Sequence, residues 1–130
     1  MKYLRMASGV LLFVLAGHAL GDGKSPNIFI EIDAKGCPTD AKDEEPRPEP
    51  GCDKKDVACR HRNESVHWIM KGDTDYAIAF SGGNPFTEDG KCLEAKKNPK
   101  CTVSSDAVMQ PYDYDVVVEG CSFDPKIVIN

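Results

Sequence analysis

The chain has no apolar run long enough to cross a bilayer, no Cys-x-x-Cys pair, no Gly-x-Ser-x-Gly elbow and no internal repeat. Each shortage removes a class. The greasiest stretch, Val10–Ala16, falls far below the roughly 20 residues that a spanning helix needs. Without Cys-x-x-Cys spacing the cysteines do not read as a metal site. Without the elbow, no serine has an evident nucleophilic role. The acidic run Asp43-Glu44-Glu45 lacks the spacing of a calcium loop. Ser81-Gly-Gly-Asn84 lacks the lysine and the following helix of a phosphate loop. Histidine is scarce too: His18, His61 and His67 are the only three.

Positive charge is in short supply, and part of it sits in the first few residues. Lys2 and Arg5 precede Val10–Ala16, and small residues follow around Ala19-Leu-Gly21. A basic start, a short greasy centre and a small-residue exit predict a secretory signal peptide over residues 1–21, cut after Ala19 or Gly21. One domain, 22–130, follows. Removing Lys2 and Arg5 leaves 14 basic against 21 acidic side chains, a net charge of −7. A surface this acidic repels phosphate backbones, so nucleic acid is not an expected partner. The expected location is secreted or periplasmic, with no membrane span once the leader is cut.

What is present begins with six cysteines, Cys37, Cys52, Cys59, Cys92, Cys101 and Cys121, all beyond the leader. An even number after an export signal reads as disulfides, and six cysteines allow 15 pairings. Proximity favours Cys92 with Cys101. Cys52 with Cys59 is the next local option, which would leave Cys37 to meet Cys121.

Period-two alternation supplies the strands. Tyr112, Tyr114, Val116 and Val118 fall on one side of an extended run, with Asp113, Asp115, Val117 and Glu119 on the other. A turn at Gly120–Pro125 and a last strand, Lys126–Asn130, make this a closing hairpin. Ile28, Ile30 and Ile32 share one face of a first strand over residues 27–33. Val66 and Trp68 share a face of Ser65–Ile69, and Tyr76, Ile78 and Phe80 a face of Asp75–Phe80; these two runs are expected to pair as a hairpin. Residues 35–55 carry four prolines and many charges, and predict a long surface loop tethered by Cys37 and Cys52. Weaker strands are expected at Thr102–Ser104 and Ala107–Met109, and a helical turn at Leu93–Lys97. Many short strands with polar connections predict an all-β fold, an antiparallel Greek-key β-sandwich with long disulfide-tethered loops. Its core would hold Ile28, Ile30, Ile32, Val66, Trp68, Tyr76, Ile78, Phe80, Tyr114, Val116, Ile127 and Ile129.

In order, the Ile-rich first strand, the Trp68 strand, Tyr76-x-Ile78-x-Phe80, Asn84-Pro85-Phe86, Tyr112-x-Tyr114-x-Val116 and Asp124-Pro125-Lys-Ile-Val-Ile resemble a small cupredoxin-like domain. The resemblance implies a sandwich over residues 28–130. It also implies where a type 1 copper would sit: that site takes two imidazoles, a thiolate and usually an axial thioether. In the family the cysteine, one histidine and the methionine lie near the last two strands. Here Tyr112–Asn130 holds Cys121 but no histidine and no methionine, so the resemblance implies the fold without that copper.

The candidate chemistry is therefore sparse. His61, His67 and Met70 are the candidate copper or zinc ligands, though Arg60 and Arg62 flank His61 and would repel a cation. His61 with Glu64 makes an acid–base pair or a surface salt bridge. Asp113 and Asp115 share a strand face, as glycosidase carboxylates can, but exposed acidic residues on a sheet commonly serve solubility and edge protection. Asn63-Glu-Ser65 matches a glycosylation acceptor. Asn84, Pro85 and Phe86 are the candidate binding patch. The reading is a secreted or periplasmic, non-enzymatic binding or structural module with no cofactor, meeting a protein or small ligand of the envelope or extracellular space. The alternatives are a copper-binding accessory protein using His61, His67 and Met70, and a small secreted hydrolase or an inhibitor of one.

Overall fold

The computed structural model describes residues 26–130; the expected leader and His18 lie outside the described residues. The first strand, β1 (Asn27–Ile32), buries Ile28 and Ile30 and turns Phe29 and Glu31 outward, as alternation requires. It is followed by β2 (Pro38–Asp43), β3 (Val57–Arg60), β4 (Ser65–Met70) and β5 (Ala77–Phe80). A kinked 3-10 segment at Thr87–Glu94 leads to β6 (Lys100–Thr102), β7 (Pro111–Val118), β8 (Cys121–Phe123) and β9 (Lys126–Ile129). One sheet runs β2-β1-β4-β6. The other runs β3-β9-β7-β5, with β8 also on β7. The chain is all-β, a sandwich of two sheets.

Both sheets are mixed. β1 lies parallel to β4, and β3 parallel to β9; the remaining ladders are antiparallel. The wholly antiparallel pairing expected from the strand spacing is corrected at these two seams. The expected β4–β5 hairpin does not form either. A strand has two edges, and those of β4 are taken by β1 and β6, while β5 pairs with β7 in the opposite sheet. The closing hairpin forms with one addition: β7 folds back first on β8 and then, along its earlier residues, on β9.

The stretch expected to be all loop contains β2. Pro38 opens the strand, where an edge tolerates the missing N–H. The next residues form a ladder with β1 from Ile32↔Pro38 to Ile28↔Asp43. Ala107–Met109 is not a strand, and the expected helical turn begins earlier, within the 3-10 segment.

Between the sheets Trp68 is completely buried. Its indole N–H donates to Tyr114 Oη at 3.2 Å, and its ring meets Phe86 and Tyr114 edge-on at 5.8 and 5.7 Å. Phe80 closes the aromatic cluster against Phe86 and Tyr114. Every expected core residue is buried except Ile32 and Phe80, which pack half-buried at its border. The cysteines pair as Cys37–Cys121, Cys52–Cys59 and Cys92–Cys101. The first joins the turn before β2 to β8 and so ties one sheet to the other.

A second tie between the sheets is ionic. Arg60 of β3 has no exposed surface, and its two terminal nitrogens grip the Asp43 carboxylate of β2 at 2.8 and 3.2 Å. The same nitrogens donate to the Cys59 and Pro26 carbonyls. Replacing one partner of such a pair strands the other charge in a dry site. Arg60→Met is expected to lose about 3–5 kcal/mol of unfolding free energy in urea, and Arg60→Met combined with Asp43→Leu to regain most of it. A loss in the double variant equal to the sum of the Arg60→Met and Asp43→Leu single losses would show that the pair is not coupled.

Candidate functional site

The three candidate metal ligands are not brought together. His67 and Met70 are an odd number of residues apart on β4, so they face opposite sides. His67 is half-buried on the outer face beside Lys100, while Met70 is in the core. His61 sits exposed in the β3–β4 turn, its ring between Glu49 (3.1 Å) and Glu64 (3.2 Å). No group of three metal-binding side chains occurs among the described residues.

His61 belongs instead to a polar strap around the turn. Glu64 accepts from the His61 amide at 2.8 Å and from Arg47. Burial disfavours the Glu64 charge, but the Arg47 and His61 hydrogen bonds outweigh it and hold the carboxyl below its ordinary value. Glu49 also takes a hydrogen bond from Asn130 at the last residue. These contacts pin the proline-rich connection, residues 44–56, onto the end of the sandwich. Neither neighbour of His61 is a free basic residue: Arg60 is buried on Asp43, and Arg62 donates to the Ala107 carbonyl at 2.8 Å. Asn63 is exposed in the same turn. Asp113 pairs with Lys126 at 3.3 Å, on the outer face of the second sheet.

The candidate binding patch at Asn84-Pro85-Phe86 is corrected. Pro85 and Phe86 are buried, and Phe86 is one wall of the Trp68 cage. Asn84 turns it inward, with Oδ1 accepting from the Phe86 amide (3.0 Å) and Nδ2 donating to the Asp89 carbonyl (3.2 Å). An Asn-Pro pair reads as a loop tip, but here it anchors a loop to the core.

Of the depressions among the described residues, two bear on binding. The first lies on the outside of the β2-β1-β4-β6 sheet. Phe29 and Ile69 are direct neighbours across the parallel β1–β4 seam, and Phe29 remains 38% exposed. With Ile32 they floor a depression of about 550 Å³, bordered by Glu31, Thr39 and Lys71. Lys42 lies beside Phe29 on β2 and pairs with Glu31 at 3.0 Å. This surface was not singled out from sequence, although the signal was there: placing Ile28, Ile30 and Ile32 on one face leaves Phe29 on the other. The second is a cleft of about 360 Å³ beside β2 and β3, rich in charge of both signs: Asp40, Asp43, Asp53 and Asp56 with Lys42, Lys54 and Lys55.

No family model matches this chain, and no curated protein does. Among solved structures it is similar to a pseudoazurin from a Sinorhizobium species, with 16% identity and a TM-score of 0.41. The likeness covers 80% of this chain and 72% of that one. It carries no functional inference. No helix among the described residues is long and apolar enough to cross a membrane.

The inward role of Asn84 has a direct check. Gly90 has φ +75°, and a methyl group there would lie 2.7 Å from the Asn84 amide. Gly90→Ala is therefore expected to cost about 1–3 kcal/mol through combined strain and clash, read as a lower denaturation midpoint. A loss no larger than the backbone strain alone, about 1 kcal/mol, would mean that Asn84 is free to move away.

Proposed function

We propose that this chain is an exported, non-enzymatic binding module of cupredoxin-like build, working without a type 1 copper. Its binding surface is the outer face of the β2-β1-β4-β6 sheet, and its ligand is an apolar segment of a protein in the envelope or extracellular space. The observation that carries this reading is Phe29 beside Ile69: two large apolar side chains held side by side toward solvent, in a depression with a charged border. An apolar centre with a polar rim is the anatomy of a protein-binding patch, and large exposed apolar side chains that lie together usually mark such sites. Three disulfides support the export half of the reading, since such bonds persist in oxidising compartments. They also stiffen the scaffold, which lowers the ordering cost of binding.

The test compares the parent with Phe29→Glu and Ile69→Lys. Both changes fall on the outer face, so the melting temperature and the three disulfides should be retained. Cross-linked capture from the source's own envelope fraction should yield a partner with the parent, and recovery should fall at least tenfold with either variant. Undiminished capture of the same partner by Phe29→Glu would rule this surface out.

A further inference from the structure

Asp40 is a buried acidic residue with an unmet need. It is 9% exposed, and its Oδ1 lies out of solvent with no N–H or O–H partner among the described residues. A buried acceptor left in this state is costly. Lys42 does not relieve it: that ammonium reaches the other oxygen, Oδ2, only at 4.0 Å and pairs more closely with Glu31. A second carboxyl, Asp56, is placed against Asp40, its Oδ1 accepting from the amide of the next residue, Ala41. Both line the cleft beside β2 and β3. Two carboxylates cannot satisfy each other, because both only accept; one proton between them turns the contact into a donor–acceptor bond.

The position of the pair gives that proton a mechanical role. Asp40 is on β2, the edge of one sheet, and Asp56 immediately precedes β3, the edge of the other. Asp56 Oδ1 also accepts from the Ala41 amide of β2 at 3.2 Å. We propose that Asp40 and Asp56 share a single proton and form a pH-sensitive latch between the two edge strands, closed in acid and loosened when the proton leaves.

The surroundings agree on the direction. Burial, then the Asp40 contact, push the Asp56 carboxyl above its ordinary value, with the Ala41 amide and the Lys55 charge pulling the other way. Of the other charges nearby, Asp43 is held by Arg60 and Lys42 by Glu31, while Asp53 and Lys54 line the same cleft. Tyr114, from β7, is a neutral phenol that burial holds far above its ordinary value. The folded chain thus binds the Asp56 proton more tightly than the unfolded chain. The stabilisation is complete below the ordinary aspartate range and is lost as pH climbs through the raised value.

The test uses the oxidised full chain. Asp56→Asn keeps an oxygen for the Ala41 amide and adds a permanent N–H donor for Asp40. It also suits the left-handed backbone at this position, φ +61°. Its melting temperature should exceed that of the parent by several degrees at pH 8 and converge with it toward pH 3. Asp40→Asn, which donates in the opposite direction, should show the same converging gap and serves if the first variant folds poorly. A gap independent of pH, or variants no more stable than the parent at pH 8, overturns the latch. So does a rise in the parent's melting temperature with millimolar calcium chloride that Asp56→Asn lacks, because the pair would then be holding a metal ion.

Discussion

The buried Arg60–Asp43 pair is the contact on which the arrangement of this molecule depends. A guanidinium with no exposed surface is tolerated only where its donors are met, and here four of the contacts that meet them come from three places. Asp43 supplies two from β2, Cys59 one from β3 itself, and Pro26 one from the start of the described chain. Nε has no partner among the described residues. An imperfectly satisfied buried charge of this kind adds little net stability over an apolar pair of the same volume. What it supplies is position. Only one placement of β3 against β2 completes the two-pronged grip. That placement fixes where the proline-rich connection leaves one sheet and enters the other, and it puts Cys59 where Cys52 can reach it.

Around that pivot, stabilisation is divided between two means. Apolar burial fills the centre, where Trp68, Tyr114, Phe80 and Phe86 meet edge to face and the isoleucines of β1 and β9 close the layer. Oxidised sulfur holds the periphery. Each bridge has one end in a connection or short edge element that buries little of its own: the turn before β2, the loop before β3, and the 3-10 segment before β6. A chain that spends so many residues on polar connections depends on such cross-links, because unfolded loops gain entropy that local contacts cannot match.

The parts of this fold that could be read from sequence are those that bury one clean face. β1, β4, β5, β7 and β9 show alternation because their inward residues are isoleucine, valine, methionine or aromatic. β2 was missed because its inward positions hold Ala41 and Asp43, and the burial of Asp43 depends on an arginine 17 residues away. β3 was missed because its last residue is that arginine. Alternation reports which face of a strand is buried but not which strand lies beside it, so the two parallel seams were invisible. The grouping of His67 with Met70 overlooked their three-residue offset, which puts them on opposite faces of one strand. Asn84-Pro85-Phe86 offers little surface because Pro85 and Phe86 are buried, with the Asn84 side chain holding the Phe86 amide.

Exposure and burial of unusual residues then divide the molecule into two working regions. On the outer face of the first sheet, apolar side chains stand where alternation predicts polar ones, and Phe29 and Ile69 lie at the middle of that sheet rather than at its edge. Backbone groups there are already paired on both sides, so the surface can bind through side chains without offering a free strand to another chain. At the edge the arrangement is reversed. There β2 has an unpaired side, and acidic side chains cover it: Asp56 takes the Ala41 amide, and Asp43 turns inward to Arg60. Charge at an exposed edge discourages sheet extension, but packing several carboxyls into one seam makes them compete for too few protons and cations. One arginine satisfies Asp43. Asp40 and Asp56 are left with each other, and so the protection of this edge depends on the acidity of its surroundings.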